Sequence, residues 1–235
     1  MIGVVGDATD AVTAALETAG ETVRTMDAER VTDGGPDAII AVGTPALTAL
    51  VAERPVPDVP VLPIEAGPGF PGTGNAADAA RALGRGEYAT VDHPVFGVAV
   101  GDEHVGNAIV DVMVVTSDPG SISEFRIASG EVIEAVRADG VVVATPAGSH
   151  GYARSAGGPR IRPGVDAAAV VPVAAFTMSP DRWVVGLDAP VEITSERDVP
   201  VSLLLDHERR RLRPGRAVTV TTVGAIDLVV PGSVA

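Results

Sequence analysis

The sequence of 235 residues contains neither cysteine nor lysine. Without cysteine the chain can form no disulfide, no thiolate metal site and no cysteine nucleophile. Without lysine it has neither a Schiff-base amine nor the lysine of a phosphate-binding loop. It also lacks an apolar run of about 18 residues, which a membrane-spanning helix requires. The segment MIGVVGDATD has no positive charge of the kind that begins a secretory signal. We therefore expect a cytoplasmic protein.

The charge balance is strongly acidic, because 31 Asp and Glu residues face 17 Arg and give a net charge of −14. Such a charge argues against a nucleic-acid partner and against an anionic membrane. Acidic, lysine-free composition is typical of halophilic proteins, whose carboxylates keep the surface hydrated while salt screens their repulsion. Coding bias toward Asp, Ala, Gly, Val and Arg is an alternative origin of the same composition.

The chain changes character near residue 88. Before it, apolar strand patterns alternate with helix patterns: MIGVV, DAIIAVG and VPVLPIEA predict strands, and residues 8–19, 45–53 and 75–83 predict helices, the first with Asp7 as its cap. This alternation predicts a small Rossmann-like α/β domain over residues 1–87.

After residue 88 short strand patterns follow one another between turn signals. They are FGVAV, AIVDVMVVT, SEFRIA, EVIEAV, VVVAT, AAVVPVAAF, RWVVGL, VEITS, VSLLLD, AVTVTTV and AIDLVV. They predict a β-rich, β-sandwich-like all-β domain over residues 88–223. Residues 224–235 are predicted to form a C-terminal strand that returns to the first domain.

Three short motifs have competing interpretations. GPGFPG (Gly67–Gly72) has the spacing of a dinucleotide fingerprint, but its two prolines remove amides that would hold a pyrophosphate, which favours a rigid loop. Ser149 resembles the nucleophile of a hydrolase elbow, but the first glycine of that pattern is misplaced. DGG (Asp33–Gly35) precedes its strand and favours a turn, because ligands bind beyond the carboxyl ends of strands.

The stretch VVVATPAGSHGYARSAGGPRIRP, Val141 to Pro163, combines a β-branched run with small polar residues. Together with the preceding residues it resembles a signature of the NAD kinase family, close to D-G-x-x-x-A-T-P-T-G-S-T-A-Y-S-x-S-A-G-G-P. The matching residues are Asp139, Gly140, Ala144, Thr145, Pro146, Gly148, Ser149, Tyr152, Ser155, Ala156, Gly157, Gly158 and Pro159. PIEAGPGFPGTGNAADAARAL and VVPVAAFTMSPDRWVV resemble two further segments of that family.

The resemblance implies phosphoryl transfer from ATP, or from polyphosphate, to the 2′-hydroxyl of NAD. It implies NAD or NADP as the dinucleotide ligand, ATP and Mg²⁺ if the protein is active, and a homo-oligomer, a dimer or a tetramer. No residue is predicted to ligate a metal. The residues predicted to bind the dinucleotide or its partner are Gly43, Thr44, Asp111, Asp139, Thr145, Gly148, Ser149, Tyr152, Ser155 and Asp206.

The sequence departs from the family after the strand AIIAV. The family has a G-G-D-G-T loop there, whose Asp is the proposed general base or metal-binding carboxylate. This chain continues Gly43-Thr44-Pro45 and has lost that Asp. The best alignment also places Val110-Asp111 on the family's Asn-Glu pair, His150 on its Thr, and Asp206-His207 on an Asp-Gly.

Two interpretations follow from this departure. In the first, a divergent, archaeal-type NAD kinase without the G-G-D-G loop uses another base, and His150, Asp111 and Asp139 are the catalytic candidates. An imidazole exchanges protons near neutral pH, which favours His150, although His150 could simply fill the space of the family's Thr. In the second, the protein is a non-catalytic relative that binds NAD or NADP as a sensor or as a partner subunit.

The composition predicts a strong dependence of stability on salt. At low ionic strength the 31 carboxylates repel one another, and molar salt shortens the screening length to about 3 Å. We expect the melting temperature to rise steeply from low to molar KCl, as measured by calorimetry. A flat profile would favour coding bias as the origin of the composition.

Overall fold

The computed structural model describes residues 1–7, 9–31, 35–52, 56–71, 75–118 and 122–231. The chain divides into two compact units. The first contains Met1–His93 and the chain from Ala225 onward, and the second contains Pro94–Gly224. Among the helices of the described residues, none has the length and apolar character to cross a membrane.

The first unit has a parallel sheet in the order β2 (Val23–Thr25), β1 (Ile2–Gly6), β3 (Ala38–Val42) and β4 (Val61–Ile64), followed by the end of the last strand, β16 (Ala217–Pro231). Its elements are β1 (Ile2–Gly6), α1 (Asp10–Thr18), β2 (Val23–Thr25), a 3₁₀ turn (Ala28–Arg30), β3 (Ala38–Val42), α2 (Thr44–Val51), β4 (Val61–Ile64) and α3 (Ala76–Arg85). The alternation of strands and helices confirms the predicted Rossmann-like α/β class.

The core of the first unit forms where the apolar residues of its strands meet those of its helices. Val4, Leu16, Ile40 and Leu83 are among its buried members. The sequence did not predict β2, which has only three half-exposed or exposed residues at the edge of the sheet.

The helix ends of the first unit follow local capping chemistry in one case and not in another. Asn75 caps α3, because its side-chain oxygen accepts from the amides of Ala77 and Asp78 at 2.9 and 3.3 Å. The prediction that Asp7 caps α1 is wrong, since α1 begins at Asp10 with Thr9 at its N-cap position.

The second unit is antiparallel. Its strands are β5 (Tyr88–Val100), which begins in the first unit, β6 (Glu103–Ala108), β7 (Asp111–Thr116), β8 (Ser123–Ser129), β9 (Glu131–Ala138), β10 (Gly140–Ala144), β11 (Ala167–Val173), β12 (Trp183–Gly186), β13 (Val191–Ser195), β14 (Val201–Leu205), β15 (Glu208–Leu212) and β16 (Ala217–Pro231). A 3₁₀ turn (Gly148–His150) and α4 (Tyr152–Ser155) follow β10.

Two layers of strands enclose the main core of this unit, which confirms the predicted β-sandwich class. One layer has the order β12-β11-β10-β7-β14-β15, and the other includes β16, β13, β8 and β9. Val114, Val143 and Leu203 from the first layer pack with Phe125 and Ile193 from the second. Alternation along each strand supplies these inward side chains.

The strand β10 is buried on both faces. Val141 and Val143 point into the sandwich, whereas Val142 and Ala144 belong to a second apolar cluster on the outer face of the same layer. Ala153 and Ile161, from the segment that follows β10, are members of that second cluster. This double burial explains the unbroken apolar run at the start of the family-like stretch.

The strand predictions after residue 88 differ from the structure in three places. AIVDVMVVT is not one strand, because β6 ends at Ala108 and β7 begins at Asp111. AVTVTTV and AIDLVV are not two strands but one, β16. The strand β15 was not predicted, because its sequence ERRRL is charged; it lies at the edge of its layer, paired with β14 alone.

Candidate functional site

The first unit has a cleft of about 1050 Å³ at the carboxyl ends of β1, β2 and β3. This is the edge at which open parallel sheets bind ligands, and β1 lies where the strand order reverses. Arg24 and Arg30 supply positive charge to the lining, and Asp7, Asp27 and Glu65 supply negative charge.

Gly43, one of the predicted binding residues, lines this cleft, and Thr44 follows it at the start of α2. Gly43 has a φ of +84° and donates its amide to the carbonyl of Ile64 at 2.7 Å. The hydroxyl of Thr44 donates to the carbonyl of Ala66 at 2.8 Å. Both groups therefore tie β3 to the chain after β4. Asp7 and Glu65 provide carboxylates in the lining that sequence reasoning did not select.

Two of the short motifs have residues outside the described part of the chain. Gly72 of GPGFPG and Asp33 and Gly34 of DGG belong to these. Within GPGFPG, the amide of Phe70 donates to the carbonyl of Gly67 at 3.3 Å, as in a tight turn. The described residues of GPGFPG therefore form a turn, which favours the rigid-loop interpretation.

In the second unit, Thr145 joins the end of β10 to the turn between β6 and β7. Its buried hydroxyl donates to the carbonyl oxygens of Ile109 and Val110, both at 2.9 Å, and accepts from the amide of Gly148 at 3.2 Å. Gly148 is also buried, and a Cβ on it would lie 2.0 Å from the carbonyl oxygen of Val110. Glycine is thus required at this position for the two segments to approach.

Ser149 serves the internal structure of the same segment. Its hydroxyl donates to the carbonyl of Pro146 at 2.7 Å and accepts from the amide of Ile161 at 2.9 Å, and the residue has no exposed surface. A hydrolase nucleophile needs an exposed hydroxyl beside a base. This burial therefore argues against the hydrolase interpretation.

His150, Tyr152 and Ser155 are the members of the segment that reach the surface. His150 is half-buried, and its Nδ1 lies 3.2 Å from the carbonyl oxygen of Pro146. Tyr152 exposes 64% of its surface at the start of α4, so its ring is open to a ligand. Ser155 is exposed, and its hydroxyl donates to the carbonyl of Gly151 at 3.3 Å.

Two carboxyl groups lie beside this segment, that of Asp111, which is buried, and that of Asp206, which is half-buried. Asp111 is only 3% exposed. Burial, and secondly the charge of Asp206, raise the pKa of Asp111 to about 7. Burial also raises the pKa of Asp206, although hydrogen bonds from the amides of Ile109, Val110 and Asp111 oppose that rise. These amides donate to the Asp206 carboxylate at 2.8–3.0 Å.

Asp139 lies apart from the other predicted residues of the second unit. It is exposed and precedes β10, whereas Thr145 follows β10. Six extended residue steps place the two ends about 20 Å apart. Asp139 lines a different cavity of about 350 Å³, together with Ser117 and Arg209. The structure thus brings Asp111, Thr145, Gly148 and Ser149 together and leaves Asp139 at the opposite end of the strand.

The chain is similar to known proteins in sequence and in fold. Residues 110–224 match the model of the ATP-NAD kinase C-terminal domain. The NAD kinase of Methanosarcina acetivorans is 33% identical over 196 residues, which cover 81% of this chain and 71% of that relative. The chain belongs to the NAD kinase family. The NAD kinase of Thermococcus sibiricus is 32% identical over 174 residues, which cover 71% of this chain.

The family members that it matches are longer than the aligned part of this chain. It spans 63% of the Thermococcus sibiricus NAD kinase and 56% of that of Methanothermobacter thermautotrophicus. Two solved structures share the NAD kinase fold. Yeast NADH kinase complexed with NADH aligns with a TM-score of 0.79 at 17% identity, covering 97% of this chain and 82% of that one. An NAD kinase from Archaeoglobus fulgidus in complex with ATP aligns with a TM-score of 0.76 at 20% identity, covering 97% and 93%.

The close approach at Gly148 predicts a large effect of Gly148→Ala. The added methyl group would overlap the carbonyl oxygen of Val110, so we expect the free energy of unfolding to fall by about 3 kcal/mol or more. Gly35→Ala is the control, because Gly35 is exposed and its Cβ would meet the nearest atom, the carbonyl oxygen of Val31, at 3.9 Å. The control should change stability by less than about 1 kcal/mol in urea unfolding. Equal effects of the two substitutions would contradict the packing argument.

The raised pKa of Asp111 predicts a pH-dependent effect of Asp111→Asn. Between the ordinary carboxyl pKa of 3.8 and about 7, the folded protein retains a proton that the unfolded chain has released. The proton on Asp111 therefore stabilises the folded protein fully at low pH. This stabilisation is lost as the pH rises toward 7, and no more is lost above pH 7.

Asparagine removes this linkage. Relative to the parent, the stability of Asp111→Asn should therefore increase from pH 4 to 7, by at most about 1.4 kcal/mol per pH unit, and then level off. Urea unfolding at pH 5, 6, 7 and 8 measures the difference. A difference that does not vary with pH would show that Asp111 ionises as an ordinary carboxyl group.

Proposed function

We propose that this protein is an NAD kinase, which transfers a phosphoryl group from ATP or polyphosphate to the 2′-hydroxyl of NAD and forms NADP. The observation that carries the proposal is the hydrogen-bonded segment from Thr145 to Ser155. Its polar groups hold the chain in place, while Tyr152 and His150 reach the surface. Membership of the NAD kinase family supports this function, and the proposal assigns that activity to this chain.

We assign the dinucleotide to the second unit. The exposed ring of Tyr152 offers an aromatic face for a base or a nicotinamide. The small residues Gly148 and Gly151 let the backbone approach a ligand closely. The side chain of Asp111 begins beside this segment, since the Cβ of Asp111 lies 3.2 Å from a Cβ built on Gly148.

We assign the phosphoryl donor to the cleft of the first unit. Arg24 and Arg30 in its lining provide the charge that phosphate oxygens require. In the described ranges, no group of three or more His, Asp or Glu side chains could hold a metal ion. Mg²⁺ commonly binds through one or two carboxylates together with the phosphate oxygens of a nucleotide, so the ion would accompany ATP. No step is assigned to it.

The base for the 2′-hydroxyl is the part of the proposal that the family does not supply. The position of its carboxylate is occupied by Gly43, Thr44 and Pro45. A general base contributes about 10² to 10⁴ in rate, or roughly 3–5 kcal/mol of barrier. His150 is the candidate that the geometry favours over Asp139. If its Nδ1–H donates to Pro146, as the 3.2 Å distance allows, Nε2 is left as a proton acceptor.

A binding-only function is the second candidate. The loss of the family carboxylate and the separation of Asp139 from Thr145 favour it. In that case the protein would bind NAD or NADP as a sensor or as a partner subunit, with no transfer of phosphate.

One experiment separates these functions. Purified protein in molar KCl is assayed for NADP formation with NAD and either ATP or polyphosphate, and NAD, NADP and ATP are titrated by calorimetry. We expect NADP formation, and tighter binding of the dinucleotide than of ATP, because the Thr145–Ser155 segment is retained while the donor loop is altered. Dinucleotide binding without NADP formation would favour the binding-only function. Micromolar ATP binding without any response to NAD or NADP would contradict both.

The role of His150 predicts the effect of His150→Thr, which restores the family residue and removes the imidazole. Turnover should fall about 100-fold or more with little change in dinucleotide affinity. His104→Thr is the matched control, because His104 is an exposed residue of β6 in the same unit. Unchanged or higher turnover in His150→Thr would show that His150 only fills the space of threonine.

A further inference from the structure

The turn Ile109–Val110–Asp111 has all of its backbone polar groups bonded. Thr145 donates to the carbonyl oxygens of Ile109 and Val110 through its hydroxyl, and to that of Val110 also through its amide, at 3.0 Å. The amide of Asp206 donates to the carbonyl of Asp111 at 3.0 Å. The Asp206 carboxylate accepts from all three amides of the turn.

Asp206 achieves this because of where it lies. It follows β14 in the two-residue turn with His207 and has a φ of +50°. Asp and Asn tolerate this left-handed region better than most residues, since their short side chains bond locally. Its Oδ1 accepts from Val110 and Asp111, and its Oδ2 accepts from Ile109. Both oxygens are therefore directed at the turn.

The position of this turn determines where the Asp111 side chain lies. Asp206 holds the peptide groups of Asp111 from one side. On the other side, the buried Gly148 is so close that a Cβ on it would lie 2.0 Å from the Val110 carbonyl and 3.2 Å from the Asp111 Cβ. A shift of the turn by a fraction of an ångström would therefore move Asp111 relative to the Thr145–Ser155 segment.

We propose that Asp206 is a positioning residue, which holds Asp111 against the Thr145–Ser155 segment through the three amides of the turn. The sequence predicted that Asp206 contacts the ligand directly. In the proposal, Asp206 bonds the backbone amides of the turn instead. The link to the dinucleotide rests on the proposed function. The hydrogen bonds themselves do not.

Charge provides a readout that a purely structural role would not affect. Burial is the larger cause of the raised pKa of Asp111, and the charge of Asp206 is the second cause. Burial also raises the pKa of Asp206, and the charge of His207 opposes that rise. Replacing Asp206 with an uncharged residue should therefore lower the pKa of Asp111. Merely loosening the fold elsewhere in the unit should leave it unchanged.

The test compares Asp206→Asn and Asp206→Ala in the full chain. Asparagine keeps an oxygen for the amides of Val110 and Asp111 but removes the charge and the acceptor for Ile109. Alanine removes all three bonds. Ser123→Ala is the matched control, because it breaks a buried hydrogen bond to Ser195 (2.8 Å) elsewhere in the sandwich.

Without ligand, we expect amide hydrogen exchange at the turn to accelerate about tenfold or more in Asp206→Ala and less in Asp206→Asn. NMR of the carboxyl carbon should show a lower Asp111 titration midpoint in Asp206→Asn. With NAD, affinity should fall about 10-fold to 100-fold in Asp206→Ala, partly recovered in Asp206→Asn. Ser123→Ala should leave the exchange at the turn, the midpoint and the affinity at their parent values.

Two outcomes would overturn the proposal, and a third would overturn the proposed function instead. Parent-like exchange and an unshifted Asp111 midpoint in both Asp206 variants would show that Asp206 does not hold the turn. Faster exchange with unchanged NAD affinity would show that it holds the turn without positioning Asp111 for the ligand. A parent protein that binds no dinucleotide would overturn the proposed function, and with it the link to the ligand, but the ligand-free measurements would still decide whether the turn is held. If Asp206→Ala does not fold, Asp206→Asn carries the same measurements.

Discussion

Thr145 lies at the end of β10 with no exposed surface, and its hydroxyl bonds two carbonyl oxygens while accepting an amide. This one side chain joins β10, the turn before β7 and the start of the Gly148–His150 segment. A buried hydroxyl whose bonds are all made stabilises its surroundings, whereas the same groups left unpaired would each destabilise them by about 1–3 kcal/mol. The positions of Gly148, Ser149 and Asp111 all depend on this junction.

Around that junction the chain divides polar groups into those that hold the backbone and those that reach the surface. Ser149 and Asp206 are fully engaged with peptide groups. His150 and Tyr152 are anchored by this framework and open outward. Two carboxyl groups lie near this junction, that of the buried Asp111 and that of the half-buried Asp206. Three amides that donate to the Asp206 carboxylate compensate for its partial removal from water. Asp111 instead holds its proton up to about pH 7.

Most of the fold could be predicted from local patterns. Helix and strand alternation predicted the α/β class of the first unit, and short apolar strands predicted the sandwich class of the second. The errors have physical causes. The strand β15 is charged because it lies at an edge, where pairing on one side suffices. The break between Ala108 and Asp111 lies within an apolar run, and its amides donate to the side chain of Asp206 rather than to a neighbouring strand.

The sequence alone determined the family-like stretch from Asp139 to Pro159, the residues Gly43, Thr44 and Pro45 after the strand AIIAV, and the absence of lysine and cysteine. These are properties of residue identity and spacing. Only the tertiary structure decided what the polar side chains do. Asp206 bonds the amide of Ile109 across 97 positions of sequence, and Asp139 lies at the opposite end of β10 from Thr145 although six positions separate them. The partner of a side chain depends on which strands are neighbours and on which end of a strand it occupies, and spacing along the chain encodes neither.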